Sequence, residues 1–325
     1  MKALITTVPF ATQNTLPLEM LQNAGISYEI NPLGRRLTDA ELSELIPGVD
    51  ILIAGTEQIS ARVFDRADNL KLISRVGIGL DGVDLNRARS DGVQVCYTPD
   101  APAPAVAELT IGLMLSLLRG IHLSNTELHK REWNRHFGRR IPDVTIGIIG
   151  VGRIGGRVIR RLGSFGSPRM LINDVRRDQH ITDALKLEWV DKETIFRESD
   201  VVSLHVPLTT ETRGLVGVRE LQMMKPDALL INAARGGVVD EDALYHALSN
   251  GKIGGAAIDV FEQEPYSGAL CELKNCILTA HMGSMSTDCR VKMEIDATED
   301  AVRFVKGQRL LRPVPTSEYE LQKGD

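Results

Sequence analysis

Cysteine is scarce: the 325 residues contain only Cys96, Cys271, Cys276 and Cys289. They form no CxxC pair and no zinc-ligand spacing, so they read as reduced side chains of a cytoplasmic protein, with neither thiol nor metal catalysis expected. A surplus of one charge is also missing. With 38 Lys and Arg against 43 Asp and Glu, the formal charge of -5 gives no electrostatic reason to expect nucleic acid or an anionic membrane as partner. Long apolar runs are lacking too, since the longest, Leu109 to Leu118, is too short to cross a bilayer. Met1 leads straight into Lys2-Ala3-Leu4-Ile5-Thr6-Thr7-Val8, which lacks the regions of a secretory signal and reads as a first strand.

What is present is a rhythm. Ala3 to Thr7, a helical period over Leu16 to Ala24, then Ile51 to Ala54 and Leu72 to Arg75 alternate as strands and helices do around a parallel sheet. The rhythm restarts at Thr145 to Gly150 and continues through Met170 to Asp174, Val201 to His205, Leu229 to Asn232, Gly255 to Asp259 and Ile277 to Thr279. A chain of this length is expected to divide into two domains, and both halves read as α/β. Between them the prolines of Thr98-Pro99-Asp100-Ala101-Pro102-Ala103-Pro104 mark the break. Ala105 to Arg119 is apolar nearly all round, so as a helix it is expected to pack between domains or between subunits. Ser317 to Asp325 is polar and is expected to fray.

Gly150-Val151-Gly152-Arg153-Ile154-Gly155 follows an apolar strand and opens a helical stretch from Arg153 to Leu162, the context of a dinucleotide fingerprint. Gly150 permits the tight turn, Gly152 the approach of backbone to a pyrophosphate, and Gly155 close packing of helix on strand. The helix N-terminus would then face the phosphates. Asp174, 19 residues beyond Gly155, ends the next strand and would accept bonds from the adenosine ribose while repelling a 2′-phosphate, which favours NAD over NADP. Arg176 and Arg177 stand close behind it and supply the opposite possibility.

Three further strand ends carry polar groups: Asn232 to Gly237, Asp259 to Pro265 and Thr279 to Ser284. Oxidising an alcohol needs a base for the hydroxyl proton, a task suited to His281, and a carboxylate such as Glu264 on the far ring nitrogen would fix the tautomer. Arg235 offers planar, permanently charged donors that match a carboxylate. Taken singly, His281 equally fits a packed core histidine, Glu264 a surface acid and Arg235 a surface cation, because convergence is a property of the fold.

With these segments in this order, the sequence from about 50 to 305 resembles the D-isomer-specific 2-hydroxyacid dehydrogenase family. The motifs are the fingerprint at Gly150, the run from Met224 to Gly237, the Asp259 to Pro265 segment and His281-Met282-Gly283. The resemblance implies an oxidoreductase moving a hydride between NAD and C2 of a D-2-hydroxy or 2-oxo acid. It makes His281 the acid/base, Glu264 its partner and Arg235 the residue that binds the substrate carboxylate. Asp259 would hold the nicotinamide amide, with cofactor contacts from Arg153, Ile154, Pro207, Thr212, Ala233, Arg235 and His281. Arg75, Val76, Gly77 and Ile78 would cradle the substrate carboxylate.

The resemblance further implies two doubly wound parallel-sheet domains. A flavodoxin-like substrate domain over residues 1–100, completed by the C-terminal helix at about 284–325, would receive an NAD-binding Rossmann domain over 101–283 as an insertion, in a homodimer. Arg75 and Trp133-Asn134-Arg135 bring the chain nearest to phosphoglycerate dehydrogenase-like members. Against 3-phosphoglycerate as substrate, Ala54-Gly55-Thr56 stands where many of those members carry a phosphate-binding arginine. The alternatives are a reductase of glyoxylate or hydroxypyruvate and a non-enzymatic, NAD-sensing corepressor-like protein. A sensor, however, needs no acid/base pair.

Overall fold

The computed structural model describes residues 1–177 and 187–322, and the chain forms two compact units. The first comprises Met1–Pro102 and Ser284–Asp325, and the second, Ala103–Gly283, is an insertion within it.

In the first unit, strands β1 (Lys2–Ile5), β2 (Ser27–Ile30), β3 (Ile51–Ala54), β4 (Leu72–Arg75) and β5 (Gln94–Tyr97) form a parallel sheet in the order β2-β1-β3-β4-β5. This is the flavodoxin-like order, with its switch point between β1 and β3. The continuous apolar run of β3 and all four residues of β4 are buried, as parallel strands covered by helices on both faces must be. β2 and β5 escape the sequence pattern for a physical reason. β2 is a mostly exposed edge strand, Ser-Tyr-Glu-Ile, and β5 opens on an exposed Gln, so neither has a continuous apolar run.

The 19-residue helix Thr287–Val305 closes this unit and buries Arg290, Glu294, Asp296 and Asp300 as ion pairs. The expectation of a frayed C-terminus is corrected here: Thr316–Leu321 is helical. Gln322 anchors it, donating to the carbonyls of Leu80 and Val83 at 2.9 Å and accepting from the N–H of Leu85 at 2.9 Å. The Arg89 guanidinium also lies 4.0 Å from the centre of the Tyr319 ring. Residues 323–325 of that expected stretch lie outside the described residues.

In the second unit, β6 (Thr145–Ile149), β7 (Arg169–Asn173), β8 (Leu187–Trp189), β9 (Val201–Leu204), β10 (Leu229–Asn232), β11 (Gly255–Ile258) and β12 (Cys276–Leu278) are all parallel. Their order, β12-β11-β10-β9-β6-β7-β8, puts the topological switch between β6 and β9, where α/β sheets bind ligands.

The helix Ala103–Arg119 begins two residues earlier than its pattern suggests, with Pro104 in the first turn where no intrahelical N–H is needed. One face of it packs inside this unit: Ala107, Leu113, Met114, Leu117 and Leu118 share one core with Ile146, Ile148 and Ile159. The exposed apolar side chains come next along the chain: Ile121 and Leu128 on the helix Ile121–His129, then Trp133 and Phe137.

Candidate active site

The glycine fingerprint is built by contact. At Gly150, φ is 95° and an added Cβ would lie 2.4 Å from the carbonyl oxygen of His205, the residue after β9. At Gly155, the first residue of the helix Gly155–Gly163, an added Cβ would lie 2.0 Å from the Gly150 oxygen. Both positions exclude any larger residue. At Gly152 the space is open, with no heavy atom within 4 Å. That opening lies beside the N-terminus of a helix, so the residues fit a bound pyrophosphate. Asp174, just beyond β7, accepts from the N–H of Val151 at 2.6 Å and of Arg176 at 2.9 Å, so its half-buried carboxylate is fixed to the glycine turn. After β9, the Thr212 hydroxyl donates to the Pro207 carbonyl at 2.6 Å and closes the loop that holds both residues.

At the neighbouring strand ends the three candidate chemical groups are held by the loops that carry them. Beyond β10, the Asn232 side chain donates to the Arg235 carbonyl at 3.0 Å and accepts from the Ala234 N–H at 3.1 Å, a local turn that carries Arg235 and leaves Ala233 buried. Beyond β12, His281 is held at φ 48°, a strained conformation for a residue with a side chain. Its N–H donates to the carbonyls of Asp259 at 2.8 Å and Thr279 at 3.0 Å. His281 Nδ1 lies 2.9 Å and 3.0 Å from the two oxygens of Glu264, and the His281 side chain is 33% exposed. An ionised carboxylate can only accept, so Nδ1 carries a hydrogen and proton exchange with a reactant falls to Nε2.

Asp259 is 1% exposed, and its carboxylate accepts from the Thr279 hydroxyl at 2.6 Å and from the N–H groups of Met282 and Gly283, each at 2.9 Å. Burial pushes this carboxyl above its usual range, against the opposing pull of those bonds and of nearby His281. Three donors of the turn that bears His281 thus converge on Asp259. Any contact to a nicotinamide amide has to use its remaining lone pairs.

In the first unit, Arg75 ends β4 and is 7% exposed, its Nη1 donating to the Val76 carbonyl at 3.1 Å. The N–H of Val76 donates to the Ala54 carbonyl at 2.9 Å and that of Gly77 to the Thr98 hydroxyl at 2.7 Å. Two donors of the Arg75–Ile78 loop are therefore engaged inside this unit. A residue to which sequence reasoning gave no role stands near the end of β3: Glu57, 2% exposed, accepts from the Gly55 N–H at 3.0 Å and from the Thr6 hydroxyl. His205 was also given none. Burial pushes its imidazole down to about 4, Nε2 lies 3.0 Å from the Ser203 hydroxyl, and Nδ1 has no protein partner among the described residues.

A model of the D-isomer specific 2-hydroxyacid dehydrogenase, NAD binding domain, matches residues 111–283, the greater part of the second unit. The chain belongs to the D-isomer specific 2-hydroxyacid dehydrogenase family, and is accordingly an NAD-dependent oxidoreductase of D-2-hydroxy acids. It is 37% identical over 278 residues to a hydroxypyruvate reductase of Thermotoga maritima, a match covering 83% of this chain and 90% of that one. It is likewise 37% identical over 278 residues to a D-3-phosphoglycerate dehydrogenase of Methanocaldococcus jannaschii, which covers 84% of this chain but only 53% of that relative. The crystal structure of the TT0316 protein from Thermus thermophilus superposes with a TM-score of 0.87 at 33% identity, covering 97% of this chain and 100% of that one. Among the described residues no single helix is long and apolar enough to cross a membrane.

Proposed function

We propose that the chain interconverts a short, unphosphorylated 2-oxo acid, glyoxylate or hydroxypyruvate, and the corresponding 2-hydroxy acid, with His281 as acid/base. The observation that carries this reading is the contact of His281 Nδ1 with both oxygens of Glu264, which leaves Nε2 for the substrate oxygen. Bound NADH supplies the hydride for C2. In reduction, His281 Nε2 gives its proton to the 2-oxygen, and Glu264 stabilises the ring in either protonation state. Arg235 takes the substrate carboxylate and draws electron density from the 2-carbonyl.

Arg75, Val76, Gly77 and Ile78, at the end of β4 and in the loop after it, are assigned to substrate binding by the family resemblance. Asp174 takes the adenosine ribose, the turn from Gly150 to Gly155 the pyrophosphate and Asp259 the nicotinamide amide, with further cofactor contacts from Pro207, Thr212 and Ala233. In this reading the first unit is the substrate domain, and the second the NAD-binding domain. One observation supports an unphosphorylated substrate: the buried Glu57 carboxylate near the end of β3. The exposed Ile121, Leu128, Trp133 and Phe137 support a homodimer formed through residues 121–137.

The test is a panel of 2-oxo acids, with and without a C3 phosphate, followed by NADH absorbance. Glyoxylate or hydroxypyruvate should give the highest kcat/KM. Preference for the phosphorylated acid would overturn the substrate assignment, and no turnover with any of them would favour a cofactor-sensing role.

A further inference from the structure

Glu264 sits in the tight turn after β11, and its carboxylate reaches His281 only while that turn stays folded back on itself. Several contacts keep it so. The Phe261 N–H donates to Glu264 Oε1 at 3.1 Å, and the Glu262 N–H donates to Glu241 Oε1 at 2.8 Å. Across the turn, the rings of Phe261 and Tyr266 stack with centroids 4.2 Å apart and planes 15° from parallel. The Tyr266 ring is itself fixed: its hydroxyl accepts from the Leu270 N–H at 3.2 Å, and an added Cβ at Gly268 would lie 2.5 Å from that hydroxyl. The Phe261 backbone supports a second candidate group as well. An added Cβ at Gly236, beside Arg235, would lie 2.1 Å from the Phe261 carbonyl carbon. The Arg235 turn therefore rests directly on the segment that positions Glu264.

We propose that the Phe261–Tyr266 ring stack is the positioning element of the acid/base pair, holding Glu264 on His281 and the Arg235 turn at a fixed height above them. Tyr266 is a positioning residue: it stands two residues past Glu264 and acts through it. The inference rests on the assignment of His281 and Glu264 as the acid/base pair. An aromatic face of this kind adds only a small share of the stability of a domain beyond the area it buries. Loss of carboxylate alignment by an ångström costs far more in rate than in stability.

The discriminating experiment compares Tyr266→Leu, which removes the stack, with Tyr266→Phe, which keeps it and removes only the hydroxyl. For Tyr266→Leu, kcat for glyoxylate should fall about tenfold to a hundredfold. The KM for NADH should stay near the wild-type value, and the pH profile of kcat should take the form of the Glu264→Gln profile. Tyr266→Phe should retain the wild-type profile. Tyr266→His, with a smaller flat ring on this partly exposed side chain, replaces the leucine variant if the latter does not fold, and should fall between the two. If Glu264→Gln is impaired but Tyr266→Leu keeps wild-type kcat and pH profile, the stack positions nothing and the inference is overturned. If Glu264→Gln and His281→Asn both turn over normally, the acid/base assignment itself has failed, and the inference falls with it.

Discussion

The two sheets follow the same rule of parallel strands with a switch point, yet they use the C-terminal strand ends differently. In the first unit the polar groups near the β1/β3 switch largely satisfy one another. Glu57 accepts from Thr6 and Gly55, and Arg290 binds Glu294 at 2.7 Å and the Thr7 hydroxyl at 2.7 Å. In the second unit the switch between β6 and β9 is lined by glycines that keep an opening, and the strand ends beside it hold a partly exposed imidazole with one nitrogen fixed. The fold supplies a place for a ligand in both cases. Of the two sets of strand ends, only those of the second unit carry, among the described residues, a histidine paired with a carboxylate, which is why function has to be argued from the site and not from the architecture.

This contrast gives predictions, the largest first. Removing one partner of the buried pair in the first unit, as in Glu294→Ala, leaves Arg290 uncompensated and should cost about 3–5 kcal/mol in urea denaturation. Turnover per folded molecule should stay nearly unchanged, and a loss of turnover without loss of stability would break the comparison. The double replacement Arg290→Met with Glu294→Leu should recover most of that stability.

Asp174→Ala in the second unit is expected to narrow the preference for NAD over NADP by roughly tenfold, the effect of about 1.4 kcal/mol, as read from the ratio of the two kcat/KM values. A wild-type protein that uses NADP equally well would remove Asp174 from this role.

A further effect is on pH. His205 has its folded value depressed to about 4, so between roughly 6.5 and 4 the unfolded chain binds more protons than the folded one. Its contribution is therefore fully present above about pH 6.5 and is lost as the pH falls through that window. Replacing His205 by Asn should flatten the acid limb of stability by about 1–3 kcal/mol, and an unchanged limb would show that the imidazole is not held neutral.

Much of this contrast is legible in the sequence. Runs of mostly apolar residues announce β3, β6, β9 and β10, because parallel strands bury both faces, and the spacing of Gly150, Gly152 and Gly155 needs only the strand before it and the helix after it to be read. The edge strands β2 and β8 are not legible: Ser27–Ile30 is mostly exposed and Leu187–Trp189 is three residues long. The meeting of Glu264 with His281, 17 positions apart, is settled by where two loops return over neighbouring strands, which no local pattern encodes. The charges buried by the helix Thr287–Val305 are likewise invisible, since Arg290, Asp296 and Asp300 read as a solvated face until Thr7 and Arg312 are brought to them. The long apolar period of Ala103–Arg119 announces burial without saying by what, and one face of the helix meets the core of its own unit.

The most direct test of the account is the steady-state turnover of folded His281→Asn at saturating NADH. Cofactor binding should be followed separately by fluorescence titration and folding by circular dichroism. The account predicts kcat lower by about a hundredfold or more, with NADH binding and fold retained. Turnover per folded molecule close to that of the unmodified protein would contradict it and return His281 to the status of a packed core residue.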